Sequence, residues 1–223
     1  MAAWLLGVAP AGASIILLGQ TADGGTGFGN VLNILILQTK DSEIGSIAPP
    51  DVESGDAKPD STFRTFSELA AAGITSGSDF GIVYNVNQNV NTFTQLNSFS
   101  VDVYNAANSL IGTFSYFGPI CNTTTGAGCF APIGTNGTGT SGYLFGFDAL
   151  QAAQFTTLML ANPLGGVGMS GDISLSNDGP ENFYALDRDN PFNAPEPSSL
   201  LLLGTAVMLF GRRMTRRTSR ARL

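Results

Sequence analysis

Hydrophobic and polar residues alternate along much of the chain, most clearly near its middle. Phe99, Val101 and Val103 alternate with the polar residues Ser100 and Asp102. This alternation predicts a strand with one buried and one solvent-facing side. Residues 105–109 are rich in Asn, Ala and Ser, and the even spacing of large apolar side chains resumes over 110–116. The two runs therefore predict an antiparallel hairpin.

Similar runs predict further strands at 15–19, 31–38, 80–85, 143–148, 155–160, 172–176 and 182–186. Helical patterns are scarce: residues 65–73 predict one short helix, with Ser67 as N-cap and Gly73 just beyond its end, and residues 148–155 predict one or two more turns. Short strands joined by Gly-, Asn- and Pro-containing turns predict an all-β fold. We expect an antiparallel β-sandwich or jelly-roll-like body with one or two short helices.

The 223 residues suffice for one domain with a buried core and separate terminal segments. The strand pattern assigns residues 14–193 to that domain. Within it, residues 41–61 are acidic, contain prolines and have few aromatic side chains. This composition predicts a mobile loop.

Charge is unevenly distributed. Before Glu196 four basic residues face sixteen acidic ones, so the body has a formal charge of −12, whereas six arginines follow in the C-terminal tail. A surface of this sign repels phosphate backbones, which argues against nucleic-acid binding. Cations and neutral sugars remain as binding partners.

The two cysteines, Cys121 and Cys129, bracket a polar loop rich in Gly and Thr. In an exported protein this spacing predicts a disulfide, worth about 2.5 kcal/mol for so short a loop in the chain-entropy model. The alternative is a metal-binding or catalytic thiol pair. It lacks partners, because two ligands do not complete a zinc site and the chain contains no histidine.

Both termini have the character of address signals. Residues 1–13 are apolar and end in a small-x-small pattern, which predicts a signal peptide cleaved after Ala13, although the usual basic start is missing. The alternative is an apolar N-terminal strand. Near the other end, residues 198–211 form an uncharged apolar run followed directly by arginines. As a helix this run measures about 21 Å, shorter than the roughly 30 Å core of a bilayer, and the arginines would stay in the cytoplasm.

The C-terminal residues 194–223 resemble the PEP-CTERM sorting signal of Gram-negative bacteria. The resemblance rests on Pro195, Glu196 and Pro197, a short apolar helix, and a basic tail that includes Arg212, Arg213, Arg216 and Arg217. It implies export with signal peptidase and exosortase as processing partners, transient insertion of the hydrophobic helix into the inner membrane, and delivery to the cell surface or exterior, often alongside exopolysaccharide. The prolines keep the glutamate extended and accessible, outside the following helix.

Catalytic chemistry has few candidates. Without histidine the chain has no Ser-His-Asp or Cys-His arrangement. Glycoside hydrolysis needs only two carboxylates, for which Asp102, Asp148, Asp172 and Glu181 are candidates. Residues 187–190 carry oxygen ligands suited to calcium but lack the glycine and distal glutamate of an EF-hand loop. We therefore predict no catalytic residue, no metal ligand and no cofactor, with calcium as the alternative.

The leading hypothesis is an exported surface or matrix-associated protein with a non-enzymatic binding or structural role, in contact with extracellular polysaccharide. The first alternative is a carbohydrate-active enzyme that uses paired carboxylates on an exopolysaccharide. The second is a permanently anchored membrane protein, which would keep its tail.

Overall fold

The computed structural model describes residues 15–22, 31–87, 93–132, 141–176 and 179–189. Within these ranges the chain is mostly strand, with two helices. The elements are β1 (Ile15–Ala22), β2 (Leu32–Leu37), β3 (Asp41–Ala48), β4 (Val52–Gly55), β5 (Arg64–Thr65), α1 (Phe66–Ala71), β6 (Phe80–Asn85), β7 (Gln95–Tyr104), β8 (Leu110–Phe117), β9 (Ser141–Phe147), α2 (Ala149–Ala161), β10 (Gly166–Ser176) and β11 (Glu181–Asp187).

The strands form two antiparallel sheets. Sheet A has the order β4-β3-β10-β7-β8, with the short β5 also paired to β10, and sheet B has the order β1-β9-β6-β11-β2. The predicted hairpin is confirmed as β7 and β8, with Asn105 N–H donating to the Ser109 carbonyl at 3.0 Å. The all-β sandwich prediction is likewise confirmed. The predicted C-terminal hydrophobic helix lies outside the described residues.

Aromatic side chains from both sheets build the core between them. Phe99 of sheet A packs edge-to-face on Phe145 of sheet B, with ring centroids 5.1 Å apart, and lies 5.5 Å from Phe183. Their inward positions follow from the two-residue period of strands, since Phe99, Val101 and Val103 are all buried while the residues between them are more exposed. The hydrophobic pattern thus decides which face of sheet A looks outward.

Helix α2 corrects one prediction. Residues 155–160 are not a strand, because they continue the helix that begins at Ala149. Asp148 caps this helix, its carboxylate accepting from Gln151 N–H at 2.9 Å, and Gln151, Phe155 and Met159 recur every four residues on the buried side. The apolar residues over 155–160 favour a strand by their pattern alone, but the Asp148 cap and the strong helix formers Ala, Leu, Gln and Met stabilise a helix instead.

Helix α1 begins two residues earlier than predicted. Its N-cap is Thr65, not Ser67, in a capping box where Thr65 Oγ1 accepts from Glu68 N–H at 3.2 Å and Glu68 accepts from Thr65 N–H at 2.8 Å. Gly73 follows the end of the helix with φ +95°, as its predicted position beyond the C-terminus requires.

The prediction of a mobile loop over 41–61 is wrong, because strands β3 and β4 pair as a hairpin there. The turn contains Pro49 and Pro50, and the acidic side chains that suggested a loop instead hold the backbone. Asp51 accepts from Phe63 N–H at 2.7 Å, and Asp56 accepts from Ile44 N–H at 2.8 Å. The inward residue Ile47 supplies buried apolar surface.

Candidate functional site

The outer face of sheet A carries a row of serines that crosses five strands. Cross-strand pairing places Ser54 of β4 beside Ser46 of β3, Ser46 beside Ser170 of β10, Ser170 beside Ser100 of β7, and Ser100 beside Ser115 of β8. Directly opposed residues project to the same side of a sheet, so the five side chains share one face. Strands lie about 4.8 Å apart, which gives the row a length of roughly 19 Å. We call this the serine row.

The centre of the serine row is linked by hydrogen bonds. The hydroxyls of Ser100 and Ser170 are 2.8 Å apart, and Ser100 donates to Asp102 Oδ2 at 3.1 Å. Thr113 on β8 donates to the other oxygen, Asp102 Oδ1, at 2.8 Å. Because Ser100 and Thr113 donate their protons to Asp102, Ser170 is the donor to Ser100, and the oxygen lone pairs that remain at this centre can accept hydrogen bonds.

A second network lies beyond the other side of the serine row. Asn97 Nδ2 donates to Asp172 Oδ1 at 2.7 Å, and Ser174 donates to Asn97 Oδ1 at 3.3 Å. Gln95 joins Asn97 to the loop after β8, because its Oε1 accepts from Cys121 N–H at 3.1 Å. Amide, hydroxyl and carboxylate groups thus alternate along the face, which is a polar surface with little positive charge.

Two aromatic rings border this polar surface. Tyr104 lies over Gly168, where a Cβ atom would come 3.3 Å from the ring, and it packs edge-to-face on Phe63 with centroids 5.9 Å apart. Burial, and next the charge of Asp102, raise the pKa of Tyr104 above its ordinary value, and the neutral phenol can donate a hydrogen bond. Phe117, 78% exposed, stands opposite Ser98 towards the other end of β7. Rings with exposed apolar faces beside polar groups suit amphipathic ligands.

The four carboxylates predicted as catalytic candidates occupy different environments. Asp172 stands opposite Ser98 while Asp102 lies four residues further along β7, a separation of about 13 Å at 3.3 Å per residue. Asp148 caps α2. Glu181 is fully buried. The separation of the two half-buried acids, Asp102 and Asp172, exceeds the roughly 5–10 Å that paired carboxylates require in glycosidases.

Glu181 nevertheless lies near another acid, Glu43, which the sequence did not single out. The Ser176 hydroxyl is 2.6 Å from Glu43 Oε1 and 3.1 Å from Glu181 Oε2, and all three residues are fully buried. Burial raises the pKa of the nearby Tyr84 well above its ordinary value, and the charges of Glu181 and Glu43 add to the shift. Because no part of this cluster reaches the surface, it joins strands β3, β10 and β11 and does not receive a polymer.

The predicted disulfide is present between Cys121 and Cys129. Its loop is held to the rest of sheet A by two backbone hydrogen bonds between Thr94 and Phe130, at 2.8 and 2.9 Å. Through Gln95 the same loop contacts the polar surface. The disulfide therefore supports one end of that surface.

Other predictions concern metals and the termini. Among the described residues, no group of three or more Asp, Glu, His or Cys side chains is placed to hold a metal ion. No helix in the described part of the chain is long and apolar enough to cross a membrane. The predicted signal peptide over 1–13, the apolar run 198–211 and the predicted sorting residues all lie outside the described ranges. Those sorting residues are Pro195, Glu196, Pro197, Arg212, Arg213, Arg216 and Arg217.

Sequence reasoning missed the serine row and Glu43. Two serines of the row, Ser46 and Ser54, fall in the segment predicted as a loop. The row could therefore not be recognised without the register of the β3–β4 hairpin. The signal available was the alternation of buried Glu43, Gly45 and Ile47 with the more exposed Ser42, Ile44 and Ser46. It was obscured because only one of the three buried residues is a large apolar one.

Comparison with known proteins assigns the C-terminal segment. The family model described as the PEP-CTERM protein-sorting motif matches residues 193–217. The match begins at the end of the β domain and covers Pro195 to Pro197, the apolar run and four of the arginines. No curated protein matches the chain, and no solved structure does.

Proposed function

We propose that this chain, which carries a PEP-CTERM protein-sorting motif at residues 193–217, is a non-enzymatic component of the cell surface or extracellular matrix whose β-sandwich binds polysaccharide. The motif signals export by exosortase-type sorting. The observation that carries the proposal beyond export is the serine row, a polar surface on a domain that follows the export route.

The chemistry of the polar surface supports a neutral polysaccharide as ligand. Sugar hydroxyls exchange hydrogen bonds with serine, asparagine and aspartate groups, and the apolar faces of sugar rings pack on aromatic side chains such as Tyr104 and Phe117. The body is strongly acidic, with a formal charge of −12 before Glu196. An anionic polymer would be repelled unless cations intervened. A neutral polysaccharide does not experience this electrostatic repulsion.

Binding is tested with the exported protein and the extracellular polysaccharide of the cells that make it. The double variant Ser100→Ala/Ser170→Ala removes the hydroxyl pair at the centre of the row, and we expect it to bind at least about five-fold more weakly, because a lost hydrogen bond is worth about 1 kcal/mol. Its matched control is Ser76→Ala/Ser78→Ala, which removes another hydroxyl pair, 2.6 Å apart, on the loop before β6. Equal binding by both variants would remove the serine row as the site.

The same samples test the absence of catalysis. We expect no new reducing ends in polysaccharide incubated with the protein. If reducing ends appear and Asp102→Asn or Asp172→Asn abolishes them, the carbohydrate-active enzyme replaces our proposal. If they appear and neither change affects them, the enzyme still replaces it, with its acids elsewhere in the chain.

Sorting is tested separately by mass spectrometry of protein from the native envelope and medium. We propose cleavage near Glu196, with loss of the arginine tail and, at the other end, of residues 1–13. The variant Pro195→Ala should retain the tail, whereas Pro191→Ala, a matched proline change just before the motif, should be processed normally. Wild-type protein with an intact tail at the cell surface would instead indicate a permanently anchored protein.

A further inference from the structure

One side of the sandwich is formed by three elements without a charged residue. The sequences of β1, β8 and α2 contain no Asp, Glu, Lys or Arg. Strand β1 is an edge of sheet B, β8 is an edge of sheet A, and the two lie beside each other, with α2 packed against β8 and β9. We call this side the uncharged flank. Strands β2, β6 and β9 also lack charged residues, but β6 and β9 lie inside sheet B and the edge of β2 accepts backbone hydrogen bonds from Lys58 and Thr62.

Large apolar side chains are exposed on this flank. Leu17 of β1, Leu110 of β8 and Leu150 of α2 are 46%, 55% and 62% exposed, and Leu160 near the end of α2 is 73% exposed. Between β8 and α2 lies a cavity of about 540 Å³ that is lined mainly by apolar atoms. Its walls include Ile111, Gly112, Phe114, Leu150, Ala153 and Leu158. Contiguous exposed apolar surface of this kind marks interaction sites.

Strand β8 also offers a free edge. It pairs with β7 on one side, and within the described residues no strand pairs with its other side. Its eight residues contain neither proline nor charge, the features with which proteins usually protect an edge from pairing. At the opposite edge of sheet A, β4 has only four residues and carries Glu53. Strand β8 is therefore the less protected edge of that sheet.

We propose that the uncharged flank is the interface with a second copy of this chain, formed by antiparallel pairing of β8 with β8. Such pairing is two-fold symmetric, so each copy contributes the same residues and receives the other's apolar side chains beside α2. Charge supports this occupant, because the body carries −12 and contact through any charged face would bring like charges together. At the flank, whose three elements carry no charge, two copies can meet without that repulsion.

The size of the flank sets the expected strength. Strand β8 is about 27 Å long at 3.4 Å per residue, and α2 is about 20 Å long. A footprint of roughly 27 by 20 Å corresponds to about 500 Å² per copy, below the 800 Å² of a standard interface. The dimer is accordingly weak and concentration-dependent, with a dissociation constant on the order of micromolar. This interface is separate from the polar surface and stands whether or not a polysaccharide binds there.

The test is sedimentation velocity of the exported protein from about 1 to 200 μM, a range that brackets this dissociation constant. We expect conversion from monomer to dimer. The variant Leu110→Lys places a charge on β8 and should weaken dimerisation at least ten-fold. The control Val52→Lys makes the same change on β4, at a residue with the same 55% exposure, and should dimerise like the parent. Circular dichroism and melting confirm that both variants are folded.

Two outcomes overturn the inference. If the parent protein is monomeric throughout this concentration range, the uncharged flank does not bind a second copy. If that monomer also floats with neutral phosphatidylcholine vesicles, the flank binds a lipid surface instead. Equal weakening of dimerisation by Leu110→Lys and Val52→Lys shows that dimers form elsewhere.

Discussion

Replacing Phe155 with alanine tests how α2 closes the sandwich. Phe155 is fully buried, and its ring lies 4.9 Å from Phe80, 5.0 Å from Phe147, 5.8 Å from Phe114 and 6.1 Å from Phe66, measured between centroids. These neighbours come from α1 and from both sheets. Phe155 therefore joins three parts of the core, and its removal leaves a cavity that no single element can fill.

The expected cost follows from burial. Truncation of a buried phenylalanine to alanine destabilises a protein by about 3–5 kcal/mol, and favourably arranged aromatic ring pairs, of which the two with Phe66 and Phe114 are edge-to-face, add about 0.5–1.5 kcal/mol each beyond area. With four ring partners we expect the upper half of that range, near 4 kcal/mol. For a domain of this size this corresponds to a melting temperature lower by roughly 8–16 °C.

The assay is urea unfolding of the exported protein, followed by circular dichroism. Phe117→Ala is the matched control, because the same truncation at a residue that is 78% exposed should change the free energy of unfolding by less than about 0.5 kcal/mol. A Phe155→Ala cost below about 1.5 kcal/mol, or equal to that of the control, would refute the packing of the Phe155 ring against both sheets. That result would revive a strand over residues 155–160.

Three further changes probe the local structure. Ser176→Ala should lower the free energy of unfolding by about 1–3 kcal/mol, because it removes the hydroxyl between the buried Glu43 and Glu181; a cost no larger than that of the exposed Ser42→Ala would contradict this. Thr65→Ala should cost about 1 kcal/mol at neutral pH through loss of the cap. Burial raises the pKa of Glu68, but hydrogen bonds from Thr65 and the charge of Arg64 outweigh it, so the pKa is lowered overall. Part of the stabilisation by the cap is therefore lost as pH falls through that pKa. A cost of Thr65→Ala that does not change with pH would count against the capping box. Reduction of the disulfide should cost about 2.5 kcal/mol without unfolding the domain; global unfolding on reduction would show that the loop does more than support one end of sheet A.

The sequence predicts the fold best where burial follows a strict period of two. Strand β7 has this period: its large apolar residues Phe99, Val101 and Val103 are buried and alternate with less buried ones, so its pattern and its environment agree. Strand β3 was missed because its inward positions are Glu43, Gly45 and Ile47. From sequence alone a glutamate is predicted to lie at the surface, and only its hydrogen-bond partner explains why Glu43 is buried. That partner, Ser176, lies 133 residues away in the sequence. Local pattern does not contain this contact.

The candidate site was less accessible to prediction than the fold. Each serine of the row is unremarkable in its own strand, and the row exists only because the registers of four strand pairs coincide. Register depends on long-range pairing, which short windows of sequence do not report. The sorting motif is the opposite case. Its tripeptide, apolar run and arginines are contiguous, so the sequence alone specified it.

The charge distribution connects the sorting signal to both proposed surfaces. All six arginines of the tail follow Glu196, and the precursor has a net charge of −7. The cleavage we propose near Glu196 would leave the body at −12, more acidic than the precursor. With a screening length of about 8 Å at physiological salt, that charge acts only on partners that come close. On our two proposals, that charge would favour neutral ligands at the serine row and direct self-association to the uncharged flank. Loss of the tail would therefore also select which partners the domain can contact.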